Sequence, residues 1–147
     1  MESRMDSLDR TLTRFRTLSR EMRLQMLLNY AKKFPDLPEA LQEARDEGLN
    51  RVEECQTPLF LWVGLEEGRV RIHADAPREA PTVRGFMGFL MEQLNGATPE
   101  EVEALPQDLL ERMGLGEVLG TMRTNGLSHV LIRIRGEAAR LRASGAS

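Results

Sequence analysis

The sequence predicts an α+β fold in which helices cover one face of a small three-stranded antiparallel sheet. Apolar residues recur at helical spacing towards both ends of the chain, whereas its middle contains three short segments typical of strands. Strands and helices do not alternate as in βαβ units, so a parallel sheet is not expected. The 147 residues, 41% of them hydrophobic and 29% charged, suit one globular domain over residues 1–147.

The first helical segment runs from Leu8 to Phe34. Its apolar residues follow the period of a helix, which predicts either one broken helix or two short ones. The segment should end before Pro35, because the residue that precedes a proline avoids the α conformation. A turn over 35–38 follows, and then a short helix that should reach Glu47 and stop at Gly48.

Three strands are predicted next, at Asn50–Thr57, Leu59–Leu65 and Arg69–Asp75. Apolar and polar residues alternate along the third, as in a half-buried strand, and a hairpin turn at 66–68 joins it to the second. The second strand begins with five apolar residues, which predicts a central strand buried on both faces. Pro58 should break the chain between the first two strands, since proline cannot donate to a ladder.

The rest of the chain is predicted to be helical. A helix starts at Pro81 and closes at Gly96, a capping box at Thr98–Glu101 opens a short one, and another follows Pro106. A long last helix should end in a frayed tail over 143–147. The predicted buried faces are Val83, Phe86, Met87, Leu90 and Leu94 in the first of these helices, and Leu127, Val130, Leu131, Ile134, Ala138 and Leu141 in the last.

Charge and composition argue against several classes of partner. The formal net charge is only −3, with no basic stripe, so no nucleic acid is expected. No long apolar segment is present and the stretch Met1–Arg16 is polar, so we expect no membrane span, no signal peptide and a cytoplasmic location. One cysteine cannot form an internal disulfide, and with only His73 and His129 beside it no metal-ligand set is recognisable.

That cysteine, Cys55, is predicted at a strand-to-loop junction. A lone cysteine in a cytosolic domain is often a small hydrophobic residue of the core, and this interpretation stays open. Its polar neighbours Glu53, Glu54, Gln56 and Thr57 favour the alternative, a reactive thiol. A core cysteine more often has apolar residues beside it.

Four stretches of the sequence resemble the SufE family of sulfur acceptors, in the order and spacing of that family. The stretch around Cys55 resembles the family's active-cysteine segment, and together the four cover about Leu24 to Ala138. They are Tyr30–Pro38, Arg51–Val63, Ala74–Phe86 and Met122–Leu127.

The resemblance implies a SufE-like fold related to that of iron–sulfur scaffold proteins, and an accessory protein rather than an enzyme. Such a protein takes persulfide sulfur from a SufS-like cysteine desulfurase, stimulates that enzyme and delivers sulfur to an iron–sulfur scaffold complex. It has no cofactor of its own, because the pyridoxal phosphate belongs to the desulfurase. Cys55 matches the acceptor cysteine, and Asp75 and Arg123 match an acidic residue and an arginine near it. The particular desulfurase and a possible homodimer are left open.

The sequence departs from the family at Glu54, where glycine is common. Arg123 would favour the thiolate of Cys55, whereas Glu53, Glu54 and Asp75 would oppose it. We therefore expect the thiol to be poorly activated at rest. For Asp75 a strand-end or helix-capping carboxylate is the alternative interpretation, and for Arg123 a solvated arginine.

Two other classes of function are considered. An iron–sulfur or zinc scaffold would need about three cysteine ligands, and this chain has one. A hydrolase would pair Cys55 with His73 or His129 within hydrogen-bond reach, but neither histidine lies in a hydrolase signature. We expect both histidines to be structural or solvated.

Overall fold

The computed structural model describes residues 3–145, which form helices around a short β-hairpin. The predicted α+β class is therefore confirmed, although the sheet is smaller than expected. The elements in chain order are α1 Arg4–Thr17, α2 Arg20–Lys32, α3 Glu39–Asp46, β1 Phe60–Glu66, β2 Arg69–Asp75, α4 Pro81–Leu94, α5 Pro99–Glu103, α6 Leu109–Arg112, α7 Gly116–Leu119 and α8 Thr121–Ala143.

The N-terminal segment forms two helices rather than one broken helix. Leu18 has an extended backbone and ends α1, and the Ser19 side chain then caps α2 by accepting a hydrogen bond from the Met22 amide. Serine is favoured at this position because its hydroxyl pairs with an amide that the helix leaves unpaired. The helix predicted up to Glu47 is α3, and Gly48 follows it with φ of 82°.

The sheet has two antiparallel strands, with Phe60 opposite Asp75 at one end and Glu66 opposite Arg69 at the other. The predicted hairpin turn is confirmed. Glu67 and Gly68 both have positive φ, 54° and 78°, as a two-residue type I′ turn requires.

The prediction of a third strand at Asn50–Thr57 is wrong. Only Arg51 pairs in strand fashion, through an isolated bridge to Phe60. Asn50 has φ of 63°, a left-handed conformation that turns the chain out of any regular strand. Pro58 then prevents further pairing, so the segment becomes a loop that folds back on the start of β1.

The expectation that β1 is buried on both faces is also wrong. A two-stranded sheet has one covered face here, where Leu61, Val70 and Ile72 are buried against α4 and α8. Phe60 and Trp62 point to the other face and are only partly buried, with their rings stacked at 6.5 Å between centroids. Without a third strand and a second layer of helices, this face stays partly open.

Helix α4 lies at the centre of the molecule and positions one wall of the candidate site. Its predicted buried face is confirmed, and it crosses α2 at close range. Gly85 permits this approach, because a Cβ atom added there would lie 2.0 Å from the carbonyl oxygen of Leu27. The close crossing fixes the first turn of α4, which carries Thr82 and Val83.

The C-terminal part follows the predictions in most respects. Thr98 and Glu101 form the expected capping box, α6 follows Pro106, and the six apolar residues predicted to face the core from α8 are all buried. Helix α7 was not predicted. A tail was expected over 143–147, but its first residue, Ala143, is still the last residue of α8. Residues 146–147 lie outside the described part of the chain. Between residues 3 and 145, no helix is both long and apolar enough to cross a membrane.

The close crossing of α2 and α4 predicts that Gly85→Ala destabilises the fold by about 3 kcal/mol, because the added methyl group meets backbone that cannot rotate away. Gly136→Ala is the control. Gly136 lies in α8 with open space around it, so alanine there should stabilise by about 0.5–1 kcal/mol. Urea denaturation measures both changes, and an unchanged midpoint for Gly85→Ala would contradict the packing described.

Candidate functional site

The residues around Cys55 form a loop whose base is fastened to the start of β1. The Leu61 amide donates to the Asn50 carbonyl oxygen at 3.0 Å, and the Asn50 side-chain amide donates to the Leu61 carbonyl oxygen, also at 3.0 Å. The Val52 amide donates to the Leu59 carbonyl oxygen at 2.8 Å. Residues 53–58 lie beyond these bonds, and we call them the Cys55 loop.

Helix α8 holds the same base from the other side. Arg133 Nη1 donates to the Arg51 carbonyl oxygen at 3.1 Å, a bond between residues far apart in the sequence. Val52 is fully buried beside it, and the Cys55 amide donates to the Val52 carbonyl oxygen at 3.2 Å. The chain is thus anchored just before the Cys55 loop, and the loop lies against α8.

Cys55 is buried, with 7% of its surface exposed, although its neighbours Glu53, Glu54 and Gln56 are exposed. It borders a cavity of about 370 Å³ between the loop, the first turn of α4 and the start of α8. The other lining residues are Gln56, Thr57, Val83, Met122, Arg123, Gly126 and Leu127. Cys55 therefore lies at a partly open cavity with both apolar and polar walls.

The surroundings of Cys55 disfavour its thiolate. Burial raises the pKa of the Cys55 thiol, and the negative charge of Glu54 raises this pKa further. This is the direction expected from the acidic residues beside the cysteine. The pKa of Cys55 is therefore higher in the folded chain than in the unfolded chain. The contribution of the neutral thiol to the stability of the fold is present at a pH below the unfolded pKa, and it is lost as the pH rises through the folded pKa.

Arg123 lies at the same cavity as Cys55. Its Nη1 donates to Thr82 Oγ1 at 3.3 Å, and Thr82 is a buried residue in the first turn of α4. This bond holds the guanidinium group at Thr82 and joins the start of α8 to α4, and Arg123 as a whole is exposed. The structure thus brings together two of the three residues that the sequence singled out.

Asp75 lies elsewhere. It ends β2 opposite Phe60, and its carboxylate forms ion pairs with Arg45 at 2.8 Å and Arg84 at 3.5 Å. These groups border a separate cavity that Cys55 does not line. The contacts fit the alternative interpretation of a strand-end carboxylate, and a role for Asp75 at the thiol stays a prediction.

Neither histidine borders the cavity of Cys55. His73 lies opposite Trp62 in the hairpin, where burial lowers its pKa and the charge of Arg71 lowers it further. His129 is exposed on α8. Within residues 3–145, no group of three or more histidine, cysteine or acidic side chains is placed to hold a metal ion.

Some residues of the site were not predicted. Thr82 has no signal in the sequence that would place it under Arg123, because that contact depends on how α4 and α8 pack. Gly126 does have a signal, since a glycine inside a helix costs about 1 kcal/mol relative to alanine and usually has a reason. The reason here is that α8 passes close to Cys55 at this residue.

The charge of Glu54 generates a prediction about thiol reactivity. Glu54→Gln removes one of the two causes that raise the pKa of Cys55, so the midpoint of the pH dependence of alkylation should move to lower pH. Glu53→Gln is the control, because Glu53 is also an exposed neighbour but is not among the causes that raise the pKa of Cys55, so the midpoint should stay nearly unchanged. Mass spectrometry of the iodoacetamide-treated protein follows the reaction. Equal midpoints for Glu54→Gln and the wild type would contradict the assignment.

Comparison with known proteins identifies relatives over most of the chain. An uncharacterized SufE-like protein of Mycobacterium tuberculosis strain H37Rv is 39% identical over 114 residues, which are 77% of this chain and 78% of that protein. One from Synechocystis is 32% identical over 108 residues, or 74% of this chain and 64% of that protein.

The structural comparison agrees with this result. The solution structure of a hypothetical protein from Thermus thermophilus is similar, with a TM-score of 0.79 and 38% identity, and the match covers 92% of this chain and 96% of that one. Residues 9–138 match the family described as "SufE: Fe-S metabolism associated domain". Sequence and fold thus agree, and the chain belongs to the SufE family.

Proposed function

We propose that this protein takes persulfide sulfur from a pyridoxal-phosphate cysteine desulfurase onto Cys55, stimulates that enzyme and passes the sulfur to iron–sulfur cluster assembly. Membership of the SufE family supports the broader role, a sulfur acceptor in iron–sulfur metabolism. The observation that carries the finer proposal is the position of Cys55. The chain's one cysteine lies on a loop over a cavity that Arg123 also lines.

The proposed step is a transfer between two cysteines. The Cys55 thiolate attacks the outer sulfur of the desulfurase persulfide, and a new S–S bond forms at Cys55. The bond between the outer sulfur and the donor cysteine breaks, and the donor leaves as a thiolate. No oxidant or reductant is consumed. The proton that Cys55 loses goes to solvent or to the partner.

The buried thiol implies that the partner takes part in activation. Because Cys55 is buried, its thiol offers little access to another protein's cysteine, and its raised pKa keeps most of it protonated near neutral pH. We infer that docking moves the Cys55 loop outward. Taking the sulfur away frees the donor cysteine, which would account for stimulation of the desulfurase.

Arg123 is the residue we propose as electrostatic support for sulfur on Cys55. Its guanidinium group borders the thiol's cavity and is held there by Thr82. A persulfide is deprotonated more easily than a thiol, so a cation at this cavity would stabilise the loaded form. In this account the protein acts in the cytoplasm, needs no cofactor of its own and serves as an accessory to the desulfurase.

Intact mass tests the proposal after incubation with a cysteine desulfurase, cysteine and pyridoxal phosphate without reductant. The wild type should gain the mass of one or more sulfur atoms, reversed by dithiothreitol, and Cys55→Ala should gain none. Arg123→Gln should load more slowly, because it removes the cation. His73→Ala and His129→Ala are the controls, and both should load like the wild type.

Two results would contradict the proposal. Sulfur on Cys55→Ala would show that the acceptor lies elsewhere. No sulfur on the wild type, with a desulfurase shown to be active on free cysteine, would leave Cys55 as a residue of the core. Failure of His73→Ala or His129→Ala to load would instead support a Cys–His pair.

A further inference from the structure

Gly126 is the point where α8 comes closest to the Cys55 loop. A Cβ atom added at Gly126 would lie 3.1 Å from Cys55 Sγ, 3.4 Å from Cys55 Cα and 3.4 Å from the Glu54 carbonyl oxygen. The first distance is tighter than ordinary van der Waals contact. The neighbours that a side chain would meet are thus the sulfur itself and the backbone that carries it.

The backbone conformation does not explain why glycine occupies this position. Gly126 lies inside α8 and its φ is not positive, so any residue could adopt its conformation. Glycine weakens a helix relative to alanine, and Gly136 in the same helix has open space around it. The contact with the Cys55 loop is the feature that distinguishes Gly126 from Gly136.

The base of the loop cannot easily yield to a larger residue. Arg133 and the bonds around Val52 fix the chain immediately before Glu53. The Cys55 loop is joined to this base by the Cys55 amide, which donates to the Val52 carbonyl oxygen, and its residues Cys55, Gln56 and Thr57 border the cavity. A methyl group on α8 would therefore push Cys55 outward and leave the base in place.

We propose that Gly126 is a positioning residue that sets how deeply the Cys55 sulfur rests against α8, and that any side chain there holds the Cys55 loop partly open. The importance of that depth for sulfur transfer rests on the function proposed above. A partly open loop exposes the thiol to water, which removes part of the burial that protects it. The thiol then reacts faster with small electrophiles and at lower pH.

Alkylation of Cys55 by iodoacetamide tests this role without a desulfurase. Gly126→Ala should react roughly threefold or more faster than the wild type at neutral pH, with its pH midpoint shifted downward. Gly136→Ala adds the same methyl group to the same helix, and should match the wild type in both rate and midpoint. A Gly126→Ala protein that folds and has the wild-type pH profile would overturn the proposal.

The melting temperature tests the contact between residue 126 and the Cys55 sulfur even if Gly126→Ala is unstable. In the Cys55→Ala background the sulfur at 3.1 Å is gone, so adding Gly126→Ala should lower the Tm by less than it does in the wild type. Equal changes of Tm in the two backgrounds would show that the methyl group does not meet the sulfur, and would overturn the proposal.

The two proposals can fail separately. If the wild type takes no sulfur but Gly126→Ala still shifts the alkylation profile, the function is wrong and the positioning role stands. If sulfur loads on Cys55 but the profile does not shift, the function stands and the positioning role is wrong.

Discussion

The hydrogen bonds at the base of the Cys55 loop determine how the site is arranged. Arg133 on α8 and the main-chain bonds of Asn50 and Val52 fix both the start of the loop and its distance from the helix. Hydrogen bonds with a charged donor contribute about 1.5–3 kcal/mol when they are protected from water. With its base fixed, the Cys55 loop keeps Cys55 buried beside a cavity, while Glu53, Glu54 and Gln56 are exposed to solvent.

Closure gives the thiol two opposed properties. Burial and the charge of Glu54 keep Cys55 protonated, which protects it from oxidation and from unwanted electrophiles. The same burial makes it a poor nucleophile and limits access to the sulfur. Arg123 lies where it could favour an anion on Cys55, but it is tied to Thr82 on another helix. In the proposed function, the docking of a desulfurase would supply the access that the buried thiol lacks.

Much of the fold could be predicted because it follows local periodicity. The buried side of β2 is predicted by the alternation of Val70, Ile72 and Ala74 with polar residues, and the buried side of α8 by its apolar face. The prediction of a third strand at Asn50–Thr57 was wrong because the conformation of this segment depends on the left-handed Asn50 and on bonds back to β1, which the sequence does not show. Short apolar segments such as Leu59–Val63 also cannot show by themselves how many strands will flank them.

The site was predicted from one rare residue and from a family resemblance. Cys55 is the one cysteine of the chain, whereas Arg123 was singled out by the resemblance to the SufE family, and the structure places both at one cavity. Asp75 also stood out, but two arginines from α3 and α4 pair with it, and that pairing depends on tertiary packing. The contact of Thr82 with Arg123 depends on how α4 and α8 pack, so the sequence does not show it, whereas Gly126 is visible as a glycine inside a helix although its contact with Cys55 is not.

The claim that the thiol is closed at rest and opened by its partner can be tested by the rate of Cys55 alkylation at one fixed pH. The rate would be compared for the folded protein alone, the protein unfolded in urea, and the folded protein with a cysteine desulfurase. We expect slow reaction for the folded protein alone, and much faster reaction when it is unfolded or bound. A folded protein that reacts as fast as the unfolded chain would contradict the claim.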